Sequence, residues 1–143
     1  MWSPPGVGKT YAMAAIARRL IWRGRSVARI SYEMLCLEIR DTFKPKATDT
    51  EYAVIKKYLK PEVLFIEDVG TTKTIGEHET DFSRRTFLVL LDQRLEQCQP
   101  TYITSNKNVE DLGKSFDSRI ASRIQQACEV CFLKGPDRRR VDA

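Results

Sequence analysis

Seven residues near the N-terminus, Pro4-Pro5-Gly6-Val7-Gly8-Lys9-Thr10, constrain this chain more than any other feature, because they run straight into a helix-forming stretch. Residues Tyr11 to Arg23 carry Met13, Ala14, Ile16, Ala17, Leu20 and Ile21 at helical spacing, and Gly24 stops the run. A glycine-rich turn that opens a helix aims backbone N–H groups and the positive end of the helix dipole at one place, which suits phosphate. The pattern is that of a P-loop, G-x-x-x-x-G-K-[ST], with Ser3 standing where the first glycine belongs. Ser3 is expected to shape the turn into the loop rather than to touch phosphate. Pro5, Gly6, Val7, Gly8, Lys9, Thr10 and Tyr11 are the candidate contacts for ATP. Lys9 would reach the β- and γ-phosphates, and the Thr10 hydroxyl would ligate Mg2+. The competing reading is a plain flexible turn before a helix.

Downstream, the strand expected over Glu62 to Ile66 is short and, from Val63 on, continuously apolar, as a buried parallel strand should be. It ends in Glu67 and Asp68. One carboxylate at that edge can hold Mg2+ and the next can polarise an attacking water, so Glu67 and Asp68 are the candidate metal residues and Asp68 the candidate base. The usual order is Asp then Glu; the swap changes reach by one methylene, which matters at the scale of about 1 Å. Two solvated acids ending a strand are the alternative. Asn106 follows the next expected strand, Thr101 to Thr104, and can orient water or meet the γ-phosphate, although asparagine also favours turns. Arg119 and Arg123 sit at i and i+4 on one helix face, where they either reach a neighbouring subunit's γ-phosphate or form a solvated stripe.

The remaining elements expected are a strand over Ser26 to Ser31, helices over Glu33 to Phe43 and Glu51 to Leu59, a loop over Thr71 to His78 and a long helix from Glu79 to Gln97. A short helix over Val109 to Leu112, a longer one over Ser118 to Ala127 and a last strand over Cys128 to Leu133 complete the series. Strands separated by helices imply an α/β fold with a parallel sheet and helices on both faces. The chain's 143 residues suit one domain. Its net charge of +5 fits a polyanionic partner without requiring one. Four cysteines and no stretch of signal-peptide character suggest a reduced, cytoplasmic setting. No apolar run approaches the roughly 20 residues of a membrane span.

The stretches PPGVGKTYAMAAIA, VLFIEDVGT, LLDQRLEQCQPTYITSN and DSRIASRI, in this order, resemble the AAA+ P-loop ATPases of the DnaC/IstB type. That group comprises helicase loaders and ATP-dependent helpers of insertion-sequence transposition. The resemblance covers most of residues 3 to 133. It implies an Mg-dependent ATPase that works with DNA and with a replicative helicase or a transposase, self-associating into an oligomer or filament. It also implies that Asn106 is the first sensor and Arg123 the arginine finger, with Arg119 second. Arg138 or Arg139 is a candidate second sensor. In such a fold the P-loop hangs from a central strand, yet only Met1 and Trp2 precede Ser3. The chain is therefore expected to be an N-terminally truncated core, residues 1–143, without a helical lid. Its missing strand would lie between the strand before Asn106 and the last one.

Two rivals remain: a P-loop kinase for a small acceptor, and a nucleotide-binding module or inactive remnant without turnover. Cys128 and Cys131, three apart in an expected strand, point to opposite faces and are not expected to hold metal. Cys36 and Cys98 are expected to be small buried hydrophobes, and Met13 and Met34 core. Arginines and lysines cluster at Arg18, Arg19, Arg23 and Arg25, at Lys56, Lys57 and Lys60, and at Arg138 to Arg140. Any of these can meet DNA phosphates, but no aromatic platform for stacking bases stands out.

Overall fold

The computed structural model describes residues 1–71 and 81–139. Helix α1 (Lys9–Trp22) leads into β1 (Val27–Ser31), α2 (Tyr32–Asp41) and α3 (Glu51–Leu59). Strand β2 (Val63–Glu67), α4 (Asp81–Glu96), β3 (Thr101–Ile103), α5 (Val109–Ser115) and α6 (Ser118–Ala127) follow. The three strands are parallel in the order β1-β2-β3, with Val27 opposite Val63 and Leu64 opposite Thr101.

Side-chain alternation along β2 builds two cores, and all five of its residues are buried. Val63 and Phe65 face α1, where Met13 and Ala17 cover them and Tyr102 stacks on Phe65 at 4.7 Å. Leu64 and Ile66 face the larger core formed with α2, α3, α4, α5 and α6, in which Tyr32, Ile39, Phe87 and Ile120 are fully buried. The result is the expected α/β fold with helices on both faces of a parallel sheet.

Helix starts follow their caps. Ser31 Oγ accepts from Met34 N–H, which starts α2 one residue before the expected Glu33. Met34 thereby lies in the first turn and is 51% exposed, not core as expected. Cys36 is buried, but Cys98 is exposed, because it follows α4 in a left-handed turn with φ 51°. The expected loop from residue 72 on, and the expected first turn of α4 at Glu79, lie outside the described residues.

The strand expected over Cys128 to Leu133 is not formed; only a bridge pairs Phe132 with Trp2. A strand needs a backbone partner along its length, and among the described residues Trp2 alone supplies one here. Trp2 N–H donates to Cys131 O at 2.9 Å, and Leu133 N–H donates to Trp2 O at 3.0 Å. On its other side Ser105 N–H donates to Met1 O, and the Met1 ammonium to Ile103 O at 2.8 Å. Met1 to Ser3 thus occupies the slot between β3 and the C-terminal segment, where the P-loop strand was expected. Beyond Met1 the slot continues as a groove of about 530 Å³, lined by Met13, Ile16, Tyr102, Ile103 and Cys128 among others.

Arg94 of α4 anchors the start of the sheet. It is 1% exposed, and its guanidinium donates to the carbonyls of Tyr58, Pro61, Glu62 and Pro100 and to Thr101 Oγ1, at 2.8–3.2 Å. All five acceptors are neutral, so burial pushes its pKa down to about 10. Arg94→Ala strips one buried and four partly buried acceptors of their donor and should destabilise the fold by about 3 kcal/mol or more. An unchanged urea midpoint would remove Arg94 from the framework.

Candidate nucleotide site

The site begins at α1. Its N-cap, Gly8, has φ 112° and offers no side chain to the first turn, so the leading N–H groups of the helix face outward. A helix N-terminus left in this state is suited to an anion. Gly6 adopts φ 82°, and a Cβ there would lie 1.7 Å from Asp137 Oδ1. The loop therefore needs glycine at both positions, for conformation and, at Gly6, for space.

Lys9 is the point where the distant motifs meet. It is 6% exposed, and its ammonium donates to Ser3 O at 3.0 Å, Ser3 Oγ at 3.2 Å, Pro4 O at 3.3 Å and Asn106 Oδ1 at 2.6 Å. Ser3 accordingly does more than shape the turn: its hydroxyl and carbonyl both hold the lysine. Lys9's pKa is lowered, chiefly by burial, with Asp68 opposing that shift and the charge of Arg139 adding to it. An ammonium surrounded by neutral acceptors gains when anionic phosphate arrives.

The end of β2 is held by the TSN element. Asp68 N–H donates to Thr104 Oγ1 at 3.1 Å, Val69 N–H to Thr104 O at 2.9 Å, and Ser105 Oγ to Val69 O at 2.7 Å. Asp68 takes a left-handed conformation, φ 59°, which turns it out of the strand. Its carboxylate is exposed, whereas Glu67 is 7% exposed on the α1 face of the sheet. The Glu67 carboxylate accepts from Arg29 Nε of the neighbouring strand β1. Thr10 is exposed at the start of α1. A hydroxyl and two carboxylates are oxygen donors of the hard type that Mg2+ takes.

Residues 1–141 match the family described as IstB-like ATP binding protein. The chain belongs to this family. Its curated relatives include the replicative helicase loader DnaC of Escherichia coli, 26% identical over 121 residues, 85% of this chain and 47% of that protein. A crystal structure of DnaI is 27% identical and superposes with a TM-score of 0.76, over 96% of this chain and 70% of that one. The replication initiator DnaA bound to AMPPCP and single-stranded DNA shares the fold, at 18% identity and a TM-score of 0.77 over 94% and 39% of the two chains. The chain spans about half the length of the curated relatives it matches. It is an AAA+ protein of the DnaC/IstB type.

Of the residues expected in this family's site, the structure brings Lys9, Asn106, Glu67 and Asp68 to the C-terminal edge of the sheet. Arg119 and Arg123 lie apart from them on α6. Arg119 donates to Asp117, and Arg123 pairs with Asp92 of α4 at 2.7 Å and donates to Gln126. The C-terminal segment comes back over the P-loop: Arg138 N–H donates to Gly6 O at 3.0 Å, and Gly135 lies against Val7. Sequence reading missed Arg29 and Asp137. Arg29 becomes visible only once β1 is known to lie beside β2 with Arg29 opposite Phe65, two positions before Glu67 on the same face. No signal in the sequence pointed to Asp137.

Proposed function

We propose that this chain binds Mg-ATP at Pro5 to Tyr11 and hydrolyses it to ADP and phosphate. In this reading it acts in the cytoplasm on DNA-associated assemblies, as a helicase loader or a transposition helper. The observation that carries the proposal is the convergence on Lys9 of Ser3, Pro4 and Asn106, with Asp68 close enough to act on its charge. Lys9 and the outward N–H groups of α1 would hold the phosphates, Asn106 would orient the attacking water and Asp68 would accept its proton. Thr10 and Glu67 would hold Mg2+, which when bound neutralises charge on the phosphates. Arg139, whose charge already reaches Lys9, is the better candidate for the second sensor. Residues 1–143 are read as one AAA+ core.

A second reading is favoured by one contact. Arg29 neutralises Glu67, which suits a module that binds nucleotide without turnover. Titration with a fluorescent ATP analogue and assay of phosphate release separate the two. In either reading Lys9→Ala should abolish measurable binding, because it removes the cation that meets the phosphates. Equal affinity with and without Lys9 would show that the P-loop is not the nucleotide site.

A further inference from the structure

Helix α1 buries Lys9, Met13 and Ala17 and turns its opposite side to solvent. Tyr11, Ala15, Arg18 and Trp22 fall within about 60° of one another at the helical advance of about 100° per residue. They form a stripe about 16 Å long on that outer side. Tyr11 is 85% exposed and Trp22 72%, unusual for rings that are on average well buried. The Arg18 guanidinium lies over the Trp22 ring at 4.6 Å, and the ring's high exposure leaves its other face open. Arg19 and Arg23 are exposed beside the stripe. Among the described residues no carboxylate pairs with Arg18, Arg19 or Arg23, whereas Arg25 is held by Glu62 at 2.7 Å. Residues 1–32 contain Lys9, Arg18, Arg19, Arg23, Arg25 and Arg29 and not one Asp or Glu, so the chain's excess of positive charge is concentrated here.

We propose that the outer face of α1 binds single-stranded DNA, with bases stacking on Trp22 and Tyr11 and phosphates meeting Arg18, Arg19 and Arg23. The proposal rests on the reading of DNA as a partner and gives that partner a surface. Exposed rings beside unpaired arginines are the two components of strand-binding surfaces, a stacking platform and a track for the backbone. A duplex keeps its base faces stacked inside and cannot use the rings. A membrane surface needs a broad apolar face, and the apolar side of α1 is already packed on the sheet. Aromatic residues and arginine also suit a protein partner, but a stretch without any acid favours a polyanion. Because Tyr11 follows Thr10 directly, strand and nucleotide would lie on one short rigid helix.

The test is fluorescence anisotropy with fluorescein-labelled oligo(dT), on the full chain without nucleotide and at several salt concentrations. Trp22→Ala should weaken binding about tenfold, as loss of one stacked base does, while Trp22→Phe retains most of it. Arg18→Ala should weaken binding and reduce the slope of log affinity against log salt by about 1. These side chains are exposed, so thermal melts of the variants should match the parent. Unchanged affinity of Trp22→Ala for oligo(dT) overturns the surface while leaving DNA as a partner. Equal affinity for an abasic oligonucleotide also overturns it, because the rings would then read nothing. If Trp22→Ala disrupts self-association in sedimentation but not oligo(dT) binding, the stripe is a protein interface and the proposal falls. A parent protein that binds no oligo(dT) removes both the surface and the DNA reading.

Discussion

Asp68→Asn should leave ATP binding intact and lower turnover by about 10²-fold or more, the scale of losing a general base. The two acids at the end of β2 have been given different environments. Glu67 stays in the strand, buried, with its carboxylate against Arg29. Asp68 leaves the strand at φ 59°, with its N–H tied to Thr104 Oγ1 and its carboxylate in solvent. The Arg29 guanidinium already occupies Glu67 Oε1, so that oxygen is not presented to a water. Asp68 is the one of the two whose side chain is open to water. The swap of Asp and Glu relative to the usual order therefore leaves the roles with the positions: the buried acid for metal, the exposed one for the base. Steady-state phosphate release, set beside titration with a fluorescent ATP analogue, measures the effect. A variant with normal turnover would take the base away from Asp68.

Local features were the legible ones. The P-loop, the apolar run of β2 and the bounds of α6 at Ser118 and Ala127 each depend on neighbours within one element. Spacing and capping are enough to read them. Exposure is different, since it depends on what packs against a helix: Met34 and Cys98 are apolar, yet both point outward. The last strand failed for the same reason, because pairing is a property of two segments and, among the described residues, Phe132 bridges only to Trp2. In the site, Lys9 and Asn106 were each recognisable, but the 2.6 Å contact that joins them spans 97 residues of sequence. The pairing of Arg29 with Glu67 needed strand order and register, and the approach of Asp137 to Gly6 needed the path of the C-terminal segment. Spacing alone puts Tyr11 and Trp22 on one side of α1, but only the fold shows that this side is left uncovered.

Arg123→Ala should cost about 10³-fold or more in turnover if its guanidinium meets the γ-phosphate of a neighbouring subunit, as arginine fingers do. Within one chain Arg123 is far from such a role: it pairs with Asp92 at 2.7 Å and donates to Gln126. The two side chains are 44% and 32% exposed, but the Asp92 Oδ1 that meets the guanidinium is itself buried. A partly exposed ion pair is worth about 0–1 kcal/mol, and leaving the buried Asp92 oxygen unpaired adds about 1–3 kcal/mol. Together these are still no more than the stabilisation an arginine finger gives a phosphoryl-transfer transition state. Arg119 is held more locally, by Asp117 at the cap of its own helix, and is the weaker candidate. If the arginine acts in trans, activity rises with protein concentration. Mixing inactive Lys9→Ala and Arg123→Ala chains then restores turnover, because the first retains the arginine and the second a working P-loop. Asp92→Asn, which frees Arg123, should leave turnover equal to or above the parent's. Turnover independent of concentration, with no recovery in the mixture, would place Arg123 in a surface ion pair and nothing more.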